Sequence, residues 1–206
     1  MLVRPHGHSD LAPLLIGEGE RPDHLAEADK LRTVPMTSRE LSDLLMLGMG
    51  AYTPLKGFMG EESWRKCCTD FMTDAGLFWP IPITLSVSDD QASSISVGET
   101  ITLTDESGTI YGKLKVEEKY KIDKNLECNE IYRTLDTEHP GVAKVLTQKD
   151  VNLAGPVEVL NEGIYPTAYQ NLYLRPRETR AIFELKTLAF SISRVDLSPK
   201  ETDLSL

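Results

Sequence analysis

The sequence has few cysteines, and they lack the spacing of a disulfide framework or a zinc site. Three of its 206 residues are cysteine, at positions 67, 68 and 128, and no C-x-x-C pair occurs. An odd count without framework spacing is typical of a reducing compartment. The amino terminus also lacks an apolar run of signal-peptide length, and no stretch approaches the ~20 apolar residues that a membrane helix requires. We therefore expect a cytoplasmic protein without a membrane partner.

Positive charge is scarce as well. The chain has 22 lysines and arginines against 32 acidic residues, which gives a net charge of −10. Because a nucleic-acid surface needs cations that replace counterions, this balance argues against a nucleic-acid partner. No Gly-x-x-x-x-Gly-Lys-Ser/Thr phosphate loop is present. The hydrophobic content of 40% and charged content of 26% are those of a globular protein.

A glycine-rich loop that also carries large apolar groups is the most unusual feature present. Residues 48–60 contain glycines at 48, 50, 57 and 60, and they include Tyr52, Leu55, Phe58 and Met59. So many glycines exclude a regular helix or strand, yet the apolar bulk is wrong for a solvated linker. Two interpretations remain open. The loop is a structural crossing anchored in the core, or it is one wall of a ligand site.

Helices are predicted on both sides of this loop. Thr37-Ser38-Arg39-Glu40 forms a capping box, and leucines at helical spacing follow until Gly48 ends the helix. A second helix begins near Glu61, with one apolar face formed by Trp64, Cys67, Cys68 and Phe71. We therefore interpret Cys67 and Cys68 as buried packing residues.

Period-two patterns predict strands after residue 80. Ile81, Ile83, Leu85 and Val87 alternate with polar residues, and 101–116 reads as a hairpin in which Gly112 marks a close approach. A short helix from Asp123 would align Cys128, Ile131, Tyr132 and Leu135 on one face. Residues 151–159 read as strands interrupted by Gly155-Pro156. The expected fold class is α+β: a small twisted sheet curled into a partial β-barrel with packed helices.

Several segments resemble one known family. The run Gly-Ala-Tyr-Thr-Pro-Leu-Lys-Gly-Phe-Met at 50–59 and Trp-Pro-Ile-Pro-Ile-Thr-Leu at 79–85 resemble the amino-terminal domain of ATP sulfurylase, or sulfate adenylyltransferase. Further matching segments, in the family's order, are 5–7, 139–142, 151–157 and 165–180. The resemblance covers roughly residues 1–184. It implies a PUA-like barrel domain over 1–168, the leading helix of the nucleotidyltransferase domain over 169–184, and a divergent tail over 185–206.

The resemblance also implies a reaction for the whole family protein. That reaction joins sulfate to the AMP part of ATP, releases pyrophosphate and is reversible, so the family substrates are sulfate and ATP with Mg²⁺. The family motif Gln-x-Arg-Asn-Pro-x-His-Arg-x-His is expected after the leading helix. It is missing here, because the last histidine of the sequence is His139 and the tail only imitates a strand at 187–192. We expect no catalytic residue and no cofactor in this chain, inactivity when it is alone, and a reading frame interrupted near Glu184.

The alternative function is a non-catalytic interaction module. Such a module would dimerise or bind the catalytic half in trans, so its partner would be that half or a second copy of the chain. PUA-like folds often bind RNA, but the net charge of −10 argues against that use here.

Arg175, Arg177 and Arg180 are the densest basic group in the sequence. They lie at the start of a predicted helix, where an anion site is one interpretation. In the other, the three arginines lie on a solvated helix face and pair with Glu178 and Glu184. A small enzyme using this group, with Glu178 or Tyr173 as a base, is a weaker third hypothesis. His6 and His8 have no third ligand nearby, so we expect no metal site.

Overall fold

The computed structural model of the chain describes residues 2–195. The α-helices are α1 (Arg21–Ala28), α2 (Ser38–Gly48), α3 (Glu61–Asp70), α4 (Asp89–Ser94), α5 (Lys124–Glu127), α6 (Pro140–Leu146), α7 (Tyr165–Ala168) and α8 (Pro176–Val195), and a π-helical turn covers Cys128–Tyr132. The strands are β1 (Thr33–Pro35), β2 (Gly57–Phe58), β3 (Leu85–Val87), β4 (Thr100–Thr104), β5 (Ile110–Lys115), β6 (Glu118–Lys121) and β7 (Val151–Val159). None of the helices within residues 2–195 combines the length and apolar character needed to cross a bilayer.

Strand β7 organises the sheet. Its first half, up to Ala154, pairs with β3 and β6, and its last three residues pair with β5. At Gly155 and Pro156 it pairs with the short strand β2. Gly155 has φ of +145°, and a Cβ added there would lie 2.0 Å from the carbonyl oxygen of Lys115. Glycine therefore lets a single strand change partners, which bends the sheet, and the predicted interruption at Gly155-Pro156 is wrong.

The bent sheet forms a curled half-barrel with the helices packed on it, which confirms the predicted α+β fold class. The core lies between the sheet and α2, where Leu44, Leu103, Leu114 and Val159 are fully buried. The predicted hairpin of β4 and β5 is present. Gly112 is the expected close approach, because a Cβ there would lie 2.6 Å from the carbonyl oxygen of Glu158.

The predicted capping box forms the amino-terminal end of α2, and it also connects this helix to the sheet. Thr37 accepts a hydrogen bond from the Glu40 amide, and its own amide donates to the Glu40 carboxylate at 2.8 Å. The other carboxylate oxygen of Glu40 accepts from the amide and hydroxyl of Ser86 in β3, at 2.8 and 2.9 Å. Glu40 is 1% exposed. A local helix cap is therefore also the joint between α2 and the sheet.

The predicted apolar face of α3 is confirmed for Trp64, Cys67 and Cys68, which are buried, whereas Phe71 lies just beyond the end of the helix and is only partly buried. Burial raises the pKa of the Cys67 thiol to about 12, so it behaves as a packing group. The sequence does not predict what lies beneath this face. The indole Nε1 of Trp64 donates to the carboxylate of Glu127 at 2.7 Å, and Glu127 is 4% exposed.

Glu127 makes stability depend on pH. Its pKa is raised above the usual carboxyl value because burial disfavours the charge, although the Trp64 hydrogen bond opposes the shift. A carboxyl whose pKa is higher in the folded state loses stability as pH rises from its unfolded pKa through its folded one. Glu127→Gln keeps an oxygen for Trp64 and removes the charge. We therefore expect the free energy of unfolding of this variant to increase relative to that of the wild type as pH rises through this range.

Urea unfolding of both proteins between pH 4.5 and 8 measures this difference. Glu130→Gln, which alters a partly exposed carboxylate paired with Arg133, is the control for removing a carboxylate that is not buried. A constant difference for Glu127→Gln would contradict the expectation.

Three local predictions are wrong for identifiable reasons. The strand predicted from Ile81 begins only at Leu85, because Pro80 and Pro82 cannot donate to a ladder, and Ile81 is 51% exposed. The alternation also fails at Ser86, which is buried because Glu40 binds it.

The second and third errors concern helices. The helix from Asp123 changes to a π-helical turn at Cys128, which shifts its face, and Leu135 is 46% exposed beyond its end. Residues 187–192 do not imitate a strand, because α8 continues through them to Val195. The rest of the expected tail, 196–206, lies outside the described residues.

Candidate functional site

An open cleft of about 1150 Å³ separates the amino-terminal arm from the start of α8. The arm (residues 2–18) forms one wall, and the first turns of α8 form the other. The end of α2 contributes Gly48 and Met49 to the lining. The cleft brings together the three arginines predicted as an anion site, so it is the natural candidate for function.

The charge of the cleft is balanced. Its lining includes five arginines and five carboxylates. The arginines are Arg4, Arg21, Arg175, Arg177 and Arg180, and the acids are Asp10, Glu18, Glu162, Glu178 and Glu184. A site for a dianion or a triphosphate needs a surplus of positive charge, and this lining does not supply one. Its net charge therefore does not by itself favour the phosphates of ATP.

Arg175 is held by two carboxylates. Its Nε and Nη2 donate to the two oxygens of Glu162 at 2.8 and 2.6 Å, and its Nη1 donates to Glu178 at 3.0 Å. The Glu162 carboxyl is partly buried, which favours its neutral form. The hydrogen bonds from Arg175 nevertheless hold the pKa of Glu162 below its usual value. This bidentate pair fixes the start of α8 to the chain just after β7.

The other two arginines point to different surroundings. Arg180 donates from Nη2 to the carbonyl oxygen of Val3, so it ties α8 to the arm. Arg177 is exposed on the cleft wall. Of the two open interpretations, the pairing of Arg175 with Glu178 matches the solvated helix face. The anion site at Arg175, Arg177 and Arg180 stays a prediction.

Sequence reasoning missed Glu162 as the main partner. Tyr173 also donates to the Glu162 carboxylate, at 3.1 Å, and burial together with that carboxylate raises the pKa of Tyr173 to about 12. A phenol that binds its proton so tightly is a poor general base near neutral pH. The contacts join residues 11 and 13 positions apart through an irregular segment, and no helix or strand spacing signals them.

The two histidines of the arm have structural contacts. The ring Nε2 of His6 lies 2.8 Å from the carbonyl oxygen of Phe78, and Nδ1 of His8 lies 2.8 Å from the carbonyl oxygen of Asp10. Among the side chains that the structure describes, those of residues 2–186, no group of three or more histidine, cysteine or acidic residues could hold a metal ion. The His6 contact ties the arm to the segment at Phe78, whereas the His8 contact lies within the arm.

The glycine-rich loop fits both interpretations that the sequence left open. Phe58 and Met59 are buried in the core, and Gly57 and Phe58 pair with β7, so the loop is a structural crossing. It also lines a second groove of about 450 Å³ beside the cleft, through Met49, Gly50, Ala51 and Thr53. Gly50 permits this path, because its φ is +80° and a Cβ there would lie 3.1 Å from the nitrogen of Pro13.

A buried carboxylate fixes the loop from behind. Asp43 in α2 accepts from Arg39 at 3.1 Å and from the Tyr52 hydroxyl at 3.2 Å. Burial raises the pKa of Asp43 to about 6 although Arg39 opposes the shift, and it raises the pKa of Tyr52 to about 12. The Tyr52 ring meets Trp79 edge-on with ring centroids 5.8 Å apart. The loop is therefore a positioned wall of the groove.

Comparison with known proteins gives a family and two kinds of relative. A profile described as PUA-like domain matches residues 3–162. The sulfate adenylyltransferases of Syntrophobacter fumaroxidans and Chlorobaculum tepidum are each 50% identical over 188 residues, covering 90% and 89% of this chain and 46% of each relative. The chain thus spans about half the length of these relatives.

Among solved structures, one described as a hexameric APS kinase from Thiobacillus denitrificans superposes with a TM-score of 0.68 and 27% identity. The superposition covers 90% of this chain and 32% of that one. Both comparisons match this chain to only part of a longer polypeptide.

Proposed function

Since the chain belongs to the PUA-like domain family, we propose that it is the amino-terminal part of a sulfate adenylyltransferase, which joins sulfate to the AMP part of ATP and releases pyrophosphate. The observation that carries this proposal is 50% identity to such an enzyme over nine-tenths of the chain. Identity at this level extends well beyond what a shared fold alone would require.

The proposed role of this part is to support the reaction without performing it. Sulfate is a weak dianionic nucleophile that must approach an anionic phosphoryl group, so the reaction depends on positioned cations and hydrogen-bond donors. The sequence has no histidine after position 139 and no Gln-x-Arg-Asn-Pro-x-His-Arg-x-His motif. In the cleft, five acids balance the five arginines. We therefore propose that this polypeptide alone is inactive, and that it binds neither ATP with Mg²⁺ nor sulfate.

The reverse reaction tests two of these statements, the inactivity of this polypeptide alone and its supporting role in the enzyme. A chimera would join residues 1–184 to the part of the Chlorobaculum tepidum enzyme that this chain does not match. We expect the chimera to form ATP from adenylyl sulfate and pyrophosphate, measured by luciferase luminescence, because each part supplies what the other lacks. The 206-residue chain and the unmatched part alone are the controls, and neither should give ATP above background.

Two results would count against the proposal. ATP formation by the pure 206-residue chain would contradict its inactivity. A folded but inactive chimera would contradict its role in the enzyme.

The alternative function, an interaction module, has support of its own. Large apolar side chains remain exposed between Ile164 and Leu185. The similar solved protein is described as hexameric, which supports self-association as one form of this function.

The free thiols of the three buried cysteines support a reducing compartment such as the cytoplasm.

A further inference from the structure

Asp43 is a buried ionisable side chain that the proposed function does not use. It lies on α2, is 8% exposed, and its Oδ1 accepts a hydrogen bond from the hydroxyl of Tyr52 at 3.2 Å. Tyr52 belongs to residues 49–56, which connect α2 to β2 and which we call the Tyr52 loop. A carboxylate buried in this way keeps its charge only where protein donors replace the water that it has lost.

The charged and ionisable groups that face Asp43 come from α2 and from the Tyr52 loop. On α2, Nη1 of Arg39 donates to Oδ2 of Asp43 at 3.1 Å, and the like charge of Glu40 opposes the ionised form. Arg39 is shared, because its Nη2 also donates to the carbonyl oxygen of Thr84 at 3.2 Å. From the loop, Tyr52 contributes its hydroxyl. Burial outweighs these donors and raises the pKa of Asp43 to about 6.

The middle of the Tyr52 loop lies near the surface of the domain. Ala51 is exposed, and Tyr52 is only partly buried. The ring of Tyr52 meets Trp79 edge-on with centroids 5.8 Å apart, and the hydroxyl of Thr53 accepts from the amide of Ala12 in the arm at 3.0 Å. A displacement of Tyr52 would therefore uncover Asp43 and would also change the surroundings of Trp79 and of the arm.

The burial of Asp43 sets the direction in which protons act on the loop. When Tyr52 moves away, the carboxyl becomes hydrated and its pKa returns toward the ordinary value of about 4. The closed loop thus has the higher pKa at Asp43, and binding of the proton stabilises it. As pH rises from the lower pKa through the higher one, the closed loop loses stability relative to the open loop.

We propose that the Tyr52 loop is a proton-controlled cover, which closes over Asp43 when this carboxyl binds a proton and opens when the proton leaves. The same loop lines the groove of about 450 Å³ through Met49, Gly50, Ala51 and Thr53, so opening changes one wall of that groove. The inference goes beyond the proposed function and does not rest on it.

Amide hydrogen exchange of the 206-residue chain, followed by NMR between pH 5 and 7, measures the opening. The amides of Ala51 and Leu55 donate to the carbonyl oxygens of Met46 and Tyr52, so they report on the loop. Dividing the intrinsic rate by each measured rate gives a protection factor that is free of the ordinary pH dependence of exchange. We expect these factors to fall about tenfold from pH 5 to pH 7. The amide of Leu114, in the centre of the sheet, reports on opening of the whole fold.

Two variants identify the group that binds the proton. Asp43→Asn can still accept from Tyr52 but carries no charge, so its protection factors should be the same at pH 5 and pH 7. Tyr52→Phe keeps the ring beside Trp79 and removes a donor that lowers the pKa of Asp43, so the fall should move to higher pH.

Two further variants are the matched controls. Asp74→Asn neutralises an exposed aspartate outside the loop. His6→Gln removes the ionisable group of the arm whose ring lies 6.3 Å from that of Trp79, measured between centroids. Both variants should keep the wild-type fall.

Three results would overturn the proposal. The first is a set of wild-type protection factors that does not fall as pH rises. The second is the same fall in Asp43→Asn, or a fall that Tyr52→Phe leaves at the wild-type pH. The third is protection of Ala51 and Leu55 as strong as that of Leu114, because the loop would then open only with the whole fold. These measurements involve no enzymatic activity, so they are separate from the chimera test.

Discussion

Replacing Gly155 with alanine is expected to destabilise the fold by more than about 4 kcal/mol and to yield little folded protein. The added Cβ would lie 2.0 Å from the carbonyl oxygen of Lys115, and the φ of +145° is one that alanine rarely adopts. The surrounding backbone cannot yield, because β7 pairs on both sides of this residue. The half-barrel depends on a strand that changes partners here, so the cost falls on the whole sheet.

Gly98→Ala separates the two causes. Gly98 has φ of +90° with nothing within 4 Å of an added Cβ, so it carries the backbone strain without the clash. Its expected cost is about 1–2 kcal/mol. Urea unfolding followed by circular dichroism compares the two variants with the wild type. Equal unfolding midpoints for the two variants would show that the contact with Lys115 does not matter.

Glu40→Ala is expected to cost about 3 kcal/mol or more in free energy of unfolding. The substitution removes the carboxylate that accepts from the amide and hydroxyl of Ser86, and Ser86 is 2% exposed. The buried donors of Ser86 would then have no partner. The loss of a hydrogen bond to a charged acceptor costs more free energy than the loss of one between neutral groups. The same substitution removes the carboxylate half of the capping box, which accepts from the amide and hydroxyl of Thr37, although the Thr37 hydroxyl can still accept from the backbone amide of residue 40.

Glu62→Ala is the matched control for this substitution. It removes a glutamate from another helix, and that side chain is 73% exposed in an i,i+4 pair with Lys66. Its unfolding midpoint should stay at the wild-type value. If Glu40→Ala unfolded at the same urea concentration as Glu62→Ala, the joint between α2 and β3 would not be a source of stability.

The parts of the fold that the sequence predicts correctly are those governed by neighbours along the chain. The Thr37 cap, the buried face at Trp64 and the hairpin after Thr100 each follow from residues within one turn or one pair of strands. The errors arise where contacts between residues distant in sequence determine the local structure. The alternation predicts that Ser86 faces solvent, whereas in the structure its hydrogen bond to Glu40 holds it in a buried position. Residues 151–159 read as two strands because the sequence does not show the four partners of β7.

The candidate site was predictable only in part, for the same reason. The three arginines at the start of α8 are visible as a cluster in the sequence. The pairing of Arg175 is not visible there, because Glu162 precedes Arg175 by 13 residues across an irregular segment. The cleft also depends on the arm, which reaches α8 through the contact between Arg180 and Val3. Composition gives the number of charges, whereas the fold decides which of them cancel.

The clamp between Glu162 and Arg175 has a geometric consequence for anything attached beyond it. It fixes the first turn of α8, and each further residue of an α-helix turns the chain by roughly 100° about the axis. The direction in which the polypeptide leaves this helix therefore depends on the number of residues in α8. Adding or removing a single residue within α8 would swing that polypeptide to another side, even with every contact of the clamp intact.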